Sequence, residues 1–134
     1  MPQAGESRVN PQPFRNSEAA TTIKRGHVIK LGTNYGQAGN DALLNIAATT
    51  NGIGVAYETA APGAMFAAEL APGAIVPVQL GTGGATRGVL LTSEGDGDLI
   101  VTVTSGQRAF IMALEAGADQ DVIEGLFLGL FIVP

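Results

Sequence analysis

One histidine, no cysteine and twelve aspartates and glutamates are the residues from which this chain would have to build a catalytic site. His27 stands between Gly26 and Val28 in a run that reads as a strand, and with no thiol beside it the imidazole could act only as a general acid or base. A structural hydrogen bond is the better use for such a histidine. Glu58 and Glu115 have the chemistry of a glycosidase pair. They end two matching runs, Gly54-Val-Ala-Tyr-Glu58 and Ile111-Met-Ala-Leu-Glu115, so repetition alone accounts for them as outward strand ends. Ser93-Glu-Gly-Asp-Gly-Asp98 alternates acid and glycine as calcium loops do, but it lacks the EF-hand spacing and closing bidentate glutamate and reads as a turn. Gly81-Thr-Gly-Gly84 is followed by no Gly-Lys-Ser/Thr and opens no helix, which removes the phosphate-cradle reading. The expectation is a chain that is not an enzyme, with no catalytic residues, no cofactor, no metal and no small-molecule substrate.

The elements that must hold these residues are short strands. A chain of 134 residues has room for one compact body, and its 19 glycines are about twice ordinary usage, which suits many tight turns rather than long helices. Without cysteine there is no disulfide framework, so stability must come from packing or association. The first twenty residues lack the apolar centre of a secretory signal. The most apolar stretch, Val122 to Val133, is interrupted by Glu124, falls well short of the ~20 residues a membrane helix needs, and reads as a buried strand. Charge is uneven: residues 1–30 carry five cations against two acids, net +3, and the remainder two cations against ten acids, net −8, which together give the chain's −5. An acidic body is a poor nucleic-acid binder, and neither nucleic acid nor membrane is expected as a partner. The basic leading segment could dock on an acidic neighbour.

Residues 1–20 show no strand or helix period, and Pro2, Pro11 and Pro13 interrupt them, so they read as an extended N-terminal arm with Phe14 as its one large aromatic anchor. Its removal is expected to leave the body folded. From Thr21 to Pro134 the chain reads as an all-β body, a small β-barrel or β-sandwich. The strand candidates are His27–Leu31, Ala42–Ile46, Ile53–Glu58, Met65–Leu70, Ala74–Leu80, Gly88–Thr92, Leu99–Val103, Ala109–Leu114 and Phe127–Val133. Pro77 puts its strand at an edge or a bulge. Ala61-Pro-Gly-Ala64 and Ala71-Pro-Gly-Ala74 repeat at a period of ten; proline then glycine suits type II turns in a meander. A longer repeat aligns Ile23-Lys-Arg-Gly-His-Val-Ile29 on Ala85-Thr-Arg-Gly-Val-Leu-Leu91, and then Gly54–Glu58 on Ile111–Glu115, giving candidate copies over 21–70 and 83–134.

The run Asn51-Gly-Ile-Gly-Val-Ala-Tyr-Glu-Thr-Ala-Ala-Pro-Gly63, preceded by an Arg-Gly-x-Val segment and followed by strands ending in Val-Gln-Leu, resembles the head-decoration, or capsid cement, proteins of tailed bacteriophages. Gly26, Val28, Gly54, Val55, Ala56, Glu58, Ala60 and Gly63 carry the likeness. It covers residues 20–80, and 85–134 more loosely; the apolar run Leu126 to Val133 departs from it and is either core or a subunit seam. The resemblance implies a structural virion protein, made in the host cytoplasm, that sits on the outer capsid surface as a homotrimer and stabilises the shell through contacts with the major capsid protein. It also implies that the arm orders on the capsid by adding strands to its edges. Arg8, Pro11, Pro13, Phe14, Arg15, Lys24 and Arg25 are the capsid-interface candidates. The alternative is a small β-rich binding module, glycan- or tail-associated, on a virion surface.

Overall fold

The structure, a computed structural model, describes residues 11–32, 34–40, 52–93 and 97–134. Among these it is all β. The strands are β1 (Gln12–Asn16), β2 (Val28–Leu31), β3 (Gln37–Asn40), β4 (Gly52–Ala56), β5 (Met65–Glu69), β6 (Ile75–Gln79), β7 (Leu90–Ser93), β8 (Leu99–Val101), β9 (Arg108–Ala113) and β10 (Val122–Ile132). The first five close into a barrel in the order β1-β3-β2-β4-β5, and the last five form a second sheet, β6-β10-β9-β7-β8. Seven of the sequence-read strands fall on β2, β4, β5, β6, β7, β8 and β9; the eighth, β10, starts five residues ahead of the expected Phe127. The candidate Ala42–Ile46 lies outside the described residues.

Two elements were hidden from the sequence, β1 and β3. The segment read as an extended arm over residues 1–20 is, from Gln12 to Asn16, a barrel strand paired antiparallel with β5 and parallel with β3. Its proline is tolerated for a local reason. Asn16 N–H bonds to Ala64 O on the β5 side, while Arg15 N–H bonds to Gly36 O on the β3 side. Pro13, two residues before Arg15, therefore turns its missing N–H toward the β3 side, ahead of the first pair of that ladder, Arg15 with Gln37. Pro77 sits in β6, an edge strand of the second sheet, as its lack of a donor requires.

The pairing scheme of the first five strands recurs in the last five. Val28–Val55 corresponds to Leu90–Met112, Pro13–Ala67 to Pro77–Glu124, and Phe14–Phe66 to Val78–Ile123. The isolated bridge Ile23–Ala60 matches Ala85–Gly117. Each copy thus includes a strand ahead of the units read as 21–70 and 83–134. Both Pro-Gly turns place glycine at positive φ, Gly63 at 83° and Gly73 at 92°, with Ala64 N–H on Ala61 O and Ala74 N–H on Ala71 O. The stretch is not a continuous meander, because the first turn joins paired neighbours β4 and β5 whereas the second hands the chain from the barrel to the other sheet.

Alanine abundance follows from barrel size. Five strands enclose little space, and the first interior is filled by Phe14, Phe66, Ile23 and Ile29 beside Ala38, Ala56, Ala60 and Ala68. The second core gathers Val76, Val78, Leu80, Leu91, Ile111 and Phe127, and it takes in Val28 and Val55 from the first copy. These two valines alternate with the barrel-filling Ile29 and Ala56, so they point out of the first barrel and are buried, both 0% exposed, by the second.

The copies differ at one seam. In the first, Arg15 N–H bonds directly to Gly36 O at 2.7 Å, sealing β1 against β3. In the second, the corresponding groups are parted: Gln79 N–H bonds to Gly26 O at 3.1 Å, and Gly97 O accepts Val28 N–H at 3.0 Å. The Gly26–Val28 segment of the first copy thus stands in the β6/β8 seam, beyond which the parallel bridge Leu80–Leu99 resumes. His27 Nε2 lies 2.8 Å from Asp98 Oδ1, and both residues are buried. Its Nδ1 accepts the Lys24 N–H, Asp98 Oδ2 accepts Gln120 Nε2–H, and Gln79 Nε2–H donates to Gln120 O. Gly97 lies against the imidazole, where a Cβ would approach ring atoms to 2.7 Å.

Gly26 and Gly88 are matched positions with φ of 92° and 90°, but a Cβ on Gly26 would sit 2.5 Å from Gln79 N, whereas Gly88 faces open space. Gly88→Ala should cost roughly 1–2 kcal/mol of unfolding free energy for its left-handed backbone. Gly26→Ala should cost clearly more, because it also forces the copies apart; denaturant melts of the two variants side by side make the comparison.

Candidate functional site

The interface candidates are not one patch. Pro13 and Arg15 lie on the exposed face of β1, exposed Pro11 immediately precedes the strand, and Phe14 and Asn16 point inward. Phe14 is 8% exposed, with its ring centroid 6.1 Å from that of Phe66. Phe14, expected as the aromatic that anchors the arm, packs inside this chain's own barrel, where closure buries it. Arg15 donates from Nη1 to Gly63 O at 2.6 Å, tying β1 to the first Pro-Gly turn, and Asn16 donates from Nδ2 to Thr21 O and Ala60 O. Arg8 lies outside the described residues.

Lys24 and Arg25 are exposed in the turn before β2, where Arg25 N–H donates to Thr59 Oγ1. Arg25 lines a groove between the copies with Tyr57, Ile75, Val122, Glu115 and Glu124. Pro11 and Pro13 line a different shallow groove with Glu58, Met65 and Phe66. The structure therefore separates a β1 face from the Lys24–Arg25 turn.

The chemistry-bearing acids have structural partners. Glu58 Oε1 accepts Ala67 N–H, and at the matching position Glu115 Oε1 accepts Glu124 N–H, so each exposed carboxylate, just past the end of one strand, bonds the backbone of the strand that follows. Glu69 is buried, with Oε1 accepting the Tyr57 hydroxyl and Oε2 the Ala71 N–H. Desolvation first, then the Glu69 charge and hydrogen bond, push the Tyr57 pKa up to about 12. No cluster of three His, Asp or Glu able to hold a metal occurs among the described residues.

Sequence reasoning missed the apolar surface. Leu31, Ile53, Leu70, Pro72 and Phe127 line a cleft with Arg108 at its wall. Arg108 is buried, donates from Nε and Nη2 to Gly129 O, and stacks with its guanidinium carbon 4.3 Å from the Phe110 ring centre. Leu31 and Leu70 continue into a second cleft bordered by Phe14 and the fully exposed Tyr35. The run Leu126 to Val133, expected to be core or seam, divides: Phe127 and Val133 are buried, while Phe131 and Ile132 are exposed.

No protein-family model matches the chain, and no curated protein matches its sequence. Among solved structures it is similar to the N-terminal base of the head fibre gp8.5 of bacteriophage phi29, with a TM-score of 0.63 and 14% identity over 88% of this chain and 92% of that one. The likeness is one of fold.

Deleting residues 1–20 should abolish the cooperative unfolding transition, because it removes a barrel strand, the reverse of what an appended arm would do. Phe14→Ala should cost about 3–5 kcal/mol as a buried aromatic; thermal and denaturant melts followed by circular dichroism test both.

Proposed function

We propose that this chain is a structural protein of a phage virion that binds the outer surface of the capsid and stabilises it, with the major capsid protein as partner and a homotrimer as the assembled form. The observation that carries this reading is the fold likeness to a phage head-fibre base along nearly the whole of both chains. It agrees with the resemblance of Asn51–Gly63 to head-decoration proteins. Cement requires many identical modest contacts, whose effects multiply by avidity, rather than a pocket.

The capsid-facing elements in this reading are the exposed face of β1, with Pro11, Pro13 and Arg15, and the Lys24–Arg25 turn, joined by Arg8. Phe14 serves them from inside by holding β1 in the barrel. A glycan- or tail-associated module is favoured by one feature, the exposed Tyr35 beside an apolar cleft, since an aromatic on a concave face is what a sugar stacks upon.

Purified protein incubated with undecorated cognate heads should co-sediment saturably and raise head survival under heat or osmotic shock. The double variant Lys24→Glu, Arg25→Glu should keep the fold and bind heads at least tenfold more weakly at low salt, with the difference shrinking as ionic strength rises. Absence of binding to cognate heads, with retention on a glycan array lost in Tyr35→Ala, would replace the cement reading with the module.

A further inference from the structure

The surface by which the first copy grips the second has a counterpart on the second copy that the described residues leave partly open. In the first copy, Val28, Val55 and Glu69 form a row of register partners across β2, β4 and β5, pointing out of the barrel. All three are at most 1% exposed, because the second copy lies over them. The corresponding row in the second copy is Leu90, Met112 and Leu126, register partners across β7, β9 and β10. All three are partly buried rather than covered, and the row continues to Ile75 on β6, which is 55% exposed.

The polarity of the two rows is the reverse of what exposure predicts. The covered row contains a carboxylate, which needs Tyr57 and a backbone N–H to satisfy it, whereas the open row is entirely apolar. Removing apolar surface from water favours association, so a partly open apolar row of four marks an association surface rather than a neutral one.

The backbone beside the row is equally prepared. Gly26 enters the β6/β8 seam at φ 92°, held by its N–H on Ala56 O; Gly88 has φ 90° and its N–H on Ala113 O, so its carbonyl is presented in the same way. The groups that would receive it exist on the first barrel. Arg15 and Gly36 correspond to Gln79 and Gly97, the pair that the Gly26–Val28 segment parts. Arg15 Nη1 holds Gly63 O just as Gln79 Nε2 holds Gln120 O.

We propose that the occupant of this surface is a second copy of the same chain, docked head to tail. Gly88–Leu90 of one molecule enters the β1/β3 seam of the next, and the apolar row Leu90–Met112–Leu126 lies against that molecule's first barrel. The Arg15–Gly36 bond is exchanged for two, Arg15 N–H to Gly88 O and Leu90 N–H to Gly36 O, as the internal seam displays them. The contact is heterologous, joining different faces of the two molecules, so it propagates until a ring closes. At the place of the His27–Asp98 pair it sets Val89 against Gln37, without a charged partner. The internal joint thus carries a buried polar network that the external one lacks, which makes the external one separable. The proposal rests on the matched copies and not on the capsid reading.

Because the natural chain has no cysteine, directed cross-linking tests it. Full-length Val89→Cys and Gln37→Cys proteins are oxidised separately and as a mixture. A disulfide-linked dimer in the mixture, at least tenfold above either protein alone, is the expected result; cross-linking in each protein alone, or none in any arm, overturns head-to-tail docking. Sedimentation velocity of the wild type against Leu90→Asp and Met112→Asp supplies a second readout. Concentration-dependent association should be lost in both variants while each retains a cooperative melt. A wild type that sediments as a monomer throughout its soluble range overturns the proposal, as does association unchanged in folded variants.

Discussion

The fold depends on how a five-stranded barrel is sealed. Closure requires a parallel contact between the first and third strands, and the backbone bonds Arg15 N–H to Gly36 O and Ser17 N–H to Ala38 O achieve it in the first copy. In the second copy the same contact is opened and refilled by Gly26–Val28. Everything distinctive about the joint follows from that insertion: a glycine with positive φ where backbone meets backbone, a buried histidine–aspartate pair, and two valines facing out of one barrel into the core of the other. The second core is therefore built by both halves.

Most strands could be read from the chain because their apolar alternation is strong and their turns are marked by Pro-Gly or Arg-Gly. The repeat was legible through Arg25-Gly26 and Arg87-Gly88, and through Glu58 and Glu115, since positions fixed by a turn geometry or a strand-end cap keep their residue type. β1 was not legible. Its Gln-Pro-Phe-Arg-Asn sequence has one apolar inward residue, and the other inward residue, Asn16, is polar because it bonds the carbonyls of Thr21 and Ala60 inside the barrel. β3, at Gln37-Ala-Gly-Asn, has only Ala38 as an apolar inward side chain, since a larger one would not fit so narrow an interior.

The surface candidates were legible in part for the same reason. Charge and proline pointed to β1 and the Lys24–Arg25 turn, both of which are exposed, but alternation within β1 sends Phe14 inward. The apolar row on β7, β9 and β10 could not be recognised from hydrophobicity, because Leu90, Met112 and Leu126 look like ordinary core residues. Their outward direction emerges only when they are set on Val28, Val55 and Glu69 through the matched registers.

The insertion at the seam also has a direction in time. The barrel seals with its own atoms, whereas the second sheet is completed by a piece borrowed from the barrel. A chain made from its N-terminus presents Gly26–Val28 long before β6 and β8 leave the ribosome, so the lender is ready when the borrower arrives. A circular permutant beginning at β6 would reverse that order and leave a nascent half-barrel with an unsealed edge during synthesis.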